Sequence, residues 1–187
     1  MCAARYARFS LLSLIWAYAL LCQASPAGGR PPPLTRQQLI GAWRLVSIDC
    51  SGPSGPIVDP FYQADSIGII IYDASGWMSV QIAAPHRQAL EVPESRLSAS
   101  EAAPEARMKA AAFDTYYAYF GTWKFDAASA TVSHHVESSL ISSETGVDYR
   151  QHVSLESGRL VLTTRSGKKG EEMVRRKVWE RITGLTE

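Results

Sequence analysis

Cysteine is scarce in this chain. The sequence has 187 residues and three cysteines, and Cys2 and Cys22 both lie in an apolar N-terminal segment. Cys50 alone remains in the rest of the chain, so it has no partner for an internal disulfide, and no cysteine cluster exists that could bind zinc. A folded domain must therefore be stabilised by its side-chain core.

An excess of charge of one sign is also missing. Lysine and arginine number 19 against 18 aspartates and glutamates. This balance provides neither the basic field that nucleic acid requires nor a polybasic patch for a membrane surface. We therefore expect no nucleic-acid partner.

Familiar catalytic and cofactor motifs are absent. The sequence contains no Gly-x-Ser-x-Gly nucleophile motif, no phosphate-binding glycine loop and no dinucleotide fingerprint. Its four histidines never occur in the spacings His-x-His or His-x-x-x-His that favour metal binding. We predict no metal and no cofactor.

The apolar run that is present is too short to span a membrane. "FSLLSLIWAYALL" is shorter than the roughly 20 residues of a spanning helix, follows two arginines, and precedes small residues around Ala24 and Ala27. This pattern is typical of a secretory signal peptide over residues 1–24. We expect a secreted or periplasmic protein; lipid anchoring at Cys22 is disfavoured because Leu21 is larger than the residue usual at that position.

The remaining chain divides into a tether and one domain. Residues 25–38 are rich in proline and glycine and predict an irregular linker. Residues 39–183 have the length of a single domain with one core.

Strand patterns repeat through this domain, separated by short turn signals. They predict an all-β fold with eight antiparallel strands, arranged as an up-and-down barrel that closes its own edges; a β-sandwich is the structural alternative. An alanine-rich insertion over residues 84–115, between the third and fourth strands, predicts a helix that acts as a lid or plug. The strand segments are 41–49, 66–73, 77–83, 117–125, 131–138, 147–155, 159–165 and 173–182.

A Gly-x-Trp motif and five further segments in order carry a resemblance to a known family. "LIGAWRLVS" contains Gly-x-Trp at Gly41–Trp43, and "GIIIYDASGWMSVQ", "YFGTWKFD", "TVSHHVESSL" and "RLVLTT" with "VWER" follow in order. Together they resemble the bacterial and fungal lipocalin-like domain family over residues 39–182. The resemblance implies a barrel that binds or converts a small hydrophobic metabolite. It also implies a structural plug in which Arg181 stacks on Trp43.

The histidine pair in "TVSHHVE" is divided by strand geometry. If residues 126–129 form a four-residue loop, Trp123 pairs with Val132 and Gly121 with His134, on a face rich in aromatic side chains. Adjacent residues of a strand point to opposite faces, so His135 and Glu137 are expected on the solvent side. Only His134 then faces the barrel interior.

The last strand is ambiguous at this stage. Val174, Val178 and Ile182 share one face with Arg176 and Glu180, whereas Arg175, Lys177, Trp179 and Arg181 share the other. The pattern leaves open which face points inward.

These observations predict an exported protein that binds a small, mostly hydrophobic molecule inside the barrel; the oligomeric state is not predicted. Isomerase or cyclase activity in the same cavity is one alternative, with His134 or Glu180 as the acid–base residue. A packed barrel that serves as a structural or partner-binding module is another, in which His134 is a core histidine bonded to a tyrosine or to backbone. The predicted ligand-binding residues are Tyr72, Met78, Tyr119, Trp123, His134 and Tyr149.

Overall fold

The fold is an eight-stranded antiparallel barrel with one short additional strand. The computed structural model describes residues 33–87, 89 and 103–184, without the side chains of 103–107. The predicted signal peptide and residues 25–32 of the predicted tether lie outside the described residues. The strands are β1 (Gly41–Gly52), β2 (Gly55–Ile57), β3 (Ile67–Tyr72), β4 (Trp77–Ala83), β5 (Tyr116–Asp126), β6 (Thr131–Ser139), β7 (Asp148–Glu156), β8 (Arg159–Ser166) and β9 (Met173–Arg181).

Each strand pairs with its neighbour in the order β2-β1-β3-β4-β5-β6-β7-β8-β9, and β1 also pairs with β9. The β1–β9 ladder runs from Trp43↔Arg181 to Ser51↔Val174, with an irregularity between Leu45 and Ser47. This pairing closes the barrel and confirms the predicted barrel in place of a sandwich. Side chains alternate between buried and exposed along the strands, as expected for a sheet with one face on the core.

The helical insertion follows the fourth strand, whereas the sequence predicted it after the third. Helix α2 (Ala103–Asp114) follows β4 and does not lie between β3 and β4. The cause is β2, which was not predicted because "SGPSGPI" has the composition of a loop. Pro56 is tolerated there because β2 pairs only with the end of β1, so the missing N–H interrupts no second ladder.

The predicted register of the β5–β6 hairpin is wrong by two residues. Trp123 pairs with His134, Gly121 with Val136, and the last pair is Asp126↔Thr131. The turn is 127–130, where Ala130 has φ 48° and the Asp126 carboxylate accepts a hydrogen bond from the Ala128 N–H at 3.0 Å. A shift of two residues preserves the strand face, so His134 still points inward.

The barrel end at which β1 begins is closed by helix α1 (Arg36–Leu39). Thr35 and Gln38 form a capping box at its start, with the Thr35 N–H donating to Gln38 Oε1 at 2.8 Å. Leu39 is fully buried, and Leu34 packs against the core from within the predicted tether. None of the described helices is long and apolar enough to cross a membrane.

Candidate functional site

A cavity of about 460 Å³ opens at the other barrel end. We call it the mouth cavity. Its wall combines the end of β4, the start of β5, the turn after β6, the start of β7 and the inward face of β9, and its rim includes the loop after β2 and the end of α2. The predicted lid helix therefore contributes Phe113 and Asp114 to the rim.

Tyrosine dominates the wall of the mouth cavity. Five of the chain's eight tyrosines line it: Tyr62, Tyr116, Tyr117, Tyr119 and Tyr149. The Tyr62 and Tyr117 rings lie 6.1 Å apart in an edge-to-face arrangement, and the Tyr119 ring lies 5.5 Å from Tyr117 and 5.8 Å from Tyr149. These contacts hold the rings in fixed orientations, so the wall is preformed.

His134 lies directly beneath this wall and is fully buried. Its Nε2 lies 2.8 Å from the Tyr72 hydroxyl, and its Nδ1 lies 2.8 Å from the Tyr119 hydroxyl. The Gln151 side-chain Nε2 lies 3.3 Å from the same Nδ1. Both ring nitrogens are therefore hydrogen-bonded within the protein.

The surroundings of His134 keep its imidazole neutral. Burial, and to a smaller extent the charge of Lys177, lower the pKa of His134 from 6.5 to about 3. An amide nitrogen can only donate, so Gln151 requires Nδ1 to accept and leaves the proton on Nε2, which donates to Tyr72. Burial also raises the pKa of the Tyr72 and Tyr119 hydroxyls well above 10. The cluster is thus an uncharged hydrogen-bonded network.

The structure brings only some of the predicted ligand-binding residues to the mouth cavity. Tyr119 and Tyr149 line it. His134 does not, but Tyr119 and Gln151 connect it to the wall. The other three, which are Tyr72, Met78 and Trp123, are buried deeper in the core and are not part of the lining.

The inward face of β9, left open by the sequence pattern, carries cations. Arg175 and Lys177 line the mouth cavity, and Trp179 beyond them is 1% exposed. Burial and the nearby charge of Arg175 lower the pKa of Lys177 to about 8. Sequence reasoning did not place these two residues in the site, although the plug residue Arg181 shares their face.

Asp59 fixes the loop that forms one side of the rim. Its carboxylate accepts hydrogen bonds from Arg175 Nη2 at 3.1 Å, from the Phe61 N–H at 2.8 Å and from the Tyr62 N–H at 3.1 Å. Burial alone would raise the pKa of Asp59, but the hydrogen bonds from Arg175 and Phe61 outweigh it and lower the pKa below its ordinary value. Asp59 and Arg175 thereby hold Phe61 and Tyr62 over the cavity.

Glu144 orders the opposite side of the rim, at the turn after β6. Its Oε2 accepts hydrogen bonds from the Tyr117 hydroxyl at 2.9 Å and from Ser139 Oγ at 2.7 Å. Burial is the main reason that the pKa of Tyr117 is raised. No signal in the sequence marked Glu144, because its turn was assigned to no predicted strand.

Trp43 and Arg181 meet at the closed end of the barrel. The Arg181 guanidinium lies 4.0 Å from the Trp43 ring centroid and donates to the Ile40 carbonyl at 2.7 Å. The Trp43 indole N–H donates to the Leu39 carbonyl at 2.9 Å. These contacts seal the barrel end opposite the mouth cavity.

The outer face holds the other residues considered for chemistry. Glu180 accepts a hydrogen bond from Arg44 Nε at 2.8 Å on the outside of the β1–β9 ladder. His135 is exposed and lies 2.8 Å from Asp148. Within the described part of the chain, no group of three or more histidine, cysteine, aspartate or glutamate side chains is placed to hold a metal ion.

Comparison with known proteins agrees with this architecture. The family model described as "Lipocalin-like domain" matches residues 40–182, which is nearly the whole barrel. A comparison with curated proteins gives no match. The lipocalin-like fold suggests small-molecule binding in general. With this match and the closed eight-stranded barrel, the chain belongs to the lipocalin-like domain family.

Proposed function

We propose that this protein binds a small, mostly hydrophobic molecule in the mouth cavity. The observation that carries the proposal is a preformed void of about 460 Å³ with a wall that includes five tyrosines, at one end of the barrel. That volume lies within the range of about 300–1,000 Å³ that is usual for small-molecule sites.

The tyrosine wall presents a mainly apolar surface to a ligand. Tyr117 is hydrogen-bonded to Glu144 and Tyr119 to His134, so these polar ends are already satisfied inside the protein. Their rings remain to contact a ligand, and aromatic rings bury large apolar areas. A molecule with a flat or aliphatic body fits this wall best.

Catalysis is less well supported than binding. An isomerase or cyclase needs an acid–base group that touches the ligand, whereas His134 lies behind the wall with both nitrogens occupied. Glu180 faces the outside and is paired with Arg44. A barrel packed throughout, as required for a purely structural module, would leave no void at the mouth.

A neutral fluorescent probe tests the proposal. N-phenyl-1-naphthylamine brightens when it leaves water, so titration into the purified protein should give a saturable signal with one probe per chain. Ala84 lines the mouth cavity, and Ala84→Trp would place an indole in the void. We expect this variant to weaken probe binding at least tenfold.

Ala127→Trp is the matched control. Ala127 is exposed in the β5–β6 turn at the opposite barrel end, so the same substitution there should leave probe affinity unchanged. Absence of saturable binding to the wild-type protein, or equal binding by both variants, would contradict the proposed function.

We also propose that the protein is exported, on the basis of residues 1–24 alone. Intact mass measurement of protein expressed from the full sequence should show loss of the N-terminal segment, with cleavage after Ala24 or Ala27, in the extracytoplasmic fraction. Full-length protein confined to the cytoplasmic fraction would argue against export, and a lipid-sized mass increase on Cys22 would favour anchoring.

A further inference from the structure

The mouth cavity contains a cation that is not engaged by a carboxylate. Lys177 lines the cavity, and among the described residues no carboxylate oxygen lies within the 4.0 Å that defines an ion pair with its Nζ. The centroid of the Tyr62 ring lies 5.0 Å from Nζ, which is a cation–π contact. The neighbouring cation differs, because Arg175 is paired with Asp59.

The position of Lys177 in the barrel makes this arrangement costly. Its cross-strand neighbours are Ile48 on β1 and Leu162 on β8, and both are buried core residues. A partly buried charged amine is destabilised unless a partner supplies hydrogen bonds or opposite charge. A position of this kind is well suited to a ligand that brings the missing charge.

Two of the carboxylates near the cavity are engaged by other groups, and a third, Asp114, lies on the rim at the end of α2. Asp59 accepts hydrogen bonds from Arg175, Phe61 and Tyr62. Glu144 accepts hydrogen bonds from Tyr117 and Ser139. Two other cations line the cavity, but Arg150 is exposed on β7 and Arg175 is paired with Asp59. The ammonium group of Lys177 is therefore the charged donor closest to the aromatic part of the wall, where the Tyr62 ring centroid lies 5.0 Å from its Nζ.

We propose that the mouth cavity selects a hydrophobic organic acid, whose carboxylate or comparable anionic group binds the ammonium group of Lys177. This inference rests on the proposed function of the cavity as a binding site and adds the chemical class of its ligand. The aromatic wall contacts the hydrophobic body, while charge-assisted hydrogen bonds from Lys177 orient the acid.

The inference predicts a characteristic pH dependence. Because the pKa of Lys177 is about 8, the free protein loses this positive charge as the pH rises through 8. Affinity for an anion should then decline above that pH, while affinity for a neutral molecule should not. The titratable and charged groups whose charges act on Lys177 or that contact it include Arg175 on β9, Cys50 on β1, His134 on β6, Glu144 on the turn after β6, and Asp59 and Tyr62 on the rim loop. Further titratable or charged residues line the same cavity: Asp114, Tyr116, Tyr117, Tyr119, Tyr149 and Arg150.

Several of these neighbours have pKa values that are shifted away from pH 8. Burial raises the pKa of Tyr62, and burial together with Asp59 raises the pKa of the Cys50 thiol from 9.0. The pKa of His134 is about 3, and that of Asp59 is lowered. A change in anion affinity near pH 8 is therefore assigned to Lys177.

A pair of probes that differ by one anionic group provides the experiment. 8-Anilino-1-naphthalenesulfonate has the skeleton of N-phenyl-1-naphthylamine with a sulfonate added. At pH 7 we expect the anionic probe to bind about tenfold more tightly, a difference of about 1.4 kcal/mol. Raising the pH to 9.5 should remove most of this preference without changing the affinity of the neutral probe.

Three substitutions test the assignment to Lys177. Lys177→Met should abolish the preference for the anionic probe and change neutral-probe affinity by less than about twofold, whereas Lys177→Arg should retain the preference. Lys124→Met removes an exposed lysine from the outer face of β5 and should change neither affinity. Binding of the neutral probe verifies that each variant is folded. The pH profile of the wild-type protein is an independent test, because it requires no substitution.

The outcomes separate this inference from the proposed function. Equal affinities for the two probes, or a preference that survives Lys177→Met, would overturn the organic-acid inference while neutral binding still supports the cavity as a binding site. If neither probe binds, both proposals fail. Displacement of the anionic probe by inorganic phosphate as effectively as by 1-naphthoate would assign the site to small anions and reject a hydrophobic acid.

Discussion

The two ends of the barrel use the same strand in opposite ways. At the closed end, Arg181 of β9 stacks on Trp43 and donates to the Ile40 carbonyl. At the mouth, Lys177 of the same strand lines a void and has no described carboxylate at ion-pair distance. One cation completes the fold, and the other is the group that we propose to bind an anionic ligand.

This difference shows that the burial of a charged side chain indicates its role only when its hydrogen-bond and ion-pair partners are also known. A cation–π contact supplemented by carbonyl acceptors satisfies Arg181 at the surface. Lys177 lines the mouth cavity without a described carboxylate at ion-pair distance, and burial together with the charge of Arg175 lowers its pKa. The comparison predicts that substitutions at the closed end alter stability, whereas substitutions at the mouth alter binding.

The largest change in the free energy of unfolding should come from a substitution at the closed end. Trp43 is 1% exposed, and Trp43→Ala should lower the free energy of unfolding by about 3–5 kcal/mol through lost burial and a residual void. Urea denaturation measures this loss. Trp77→Ala is the control, because Trp77 is 50% exposed, and it should cost about 1 kcal/mol or less. Equal losses from the two variants would refute the assignment of Trp43 to a structural plug.

The second-largest change in stability should come from His134, which lies between the two ends. Its pKa is about 3 in the folded protein and 6.5 in the unfolded chain. Below pH 6.5 the unfolded state binds a proton that the folded state does not, so acid destabilises the barrel progressively down to about pH 3. The expected slope is about 1.4 kcal/mol per pH unit from this residue.

The difference between wild type and His134→Gln isolates that slope. As the pH falls from 7 to 5, the unfolding free energy of the wild-type protein should approach that of His134→Gln, because the variant lacks the titrating ring. His152→Gln removes an exposed histidine from the outer face of β7 and should keep the wild-type slope. An unchanged slope in His134→Gln would show that His134 is not the buried neutral base described.

The smallest effect should come from Arg181. Its side chain is exposed, so Arg181→Met should lower the free energy of unfolding by only about 1 kcal/mol, the size of an exposed cation–π contact. Affinity for N-phenyl-1-naphthylamine should stay within about twofold of wild type. A loss of probe binding greater than the loss of folded protein would show that the two ends are coupled.

Strand periodicity made most of the fold predictable. The apolar alternation of β3, β4 and β5 and the turns around Gly76 and Gly158 define the hairpins of the barrel. The register of the β5–β6 hairpin was harder to predict than the strands themselves, because the positive φ of Ala130 is not expected of alanine. With Ala130 in the turn, the turn comprises residues 127–130 and not the predicted 126–129. The strand β2 was missed because its pairing depends on the long end of β1 and not on its own composition.

The candidate site was predictable only in part. Tyr119 and Tyr149 follow from the inward faces of β5 and β7, but Tyr62 and Glu144 reach the cavity from irregular segments whose course no periodicity encodes. Lys177 could have been found. Once Arg181 is placed inside by the plug, strand alternation puts Lys177 and Arg175 on the same face. The sequence pattern left the inward face of β9 open, because charged residues are usually on the outside and both faces of this strand carry charges.

Closure of the barrel by β1 and β9 has a consequence for folding. The pair Trp43↔Arg181 joins residues that are far apart in the sequence, and contacts of this kind form slowly because a long loop must be closed first. Until β9 is in place, β1 and β8 each expose an unpaired edge that can pair with another chain. Truncation or delayed docking of β9 should therefore promote aggregation well before it affects the local structure of the β3–β5 hairpins.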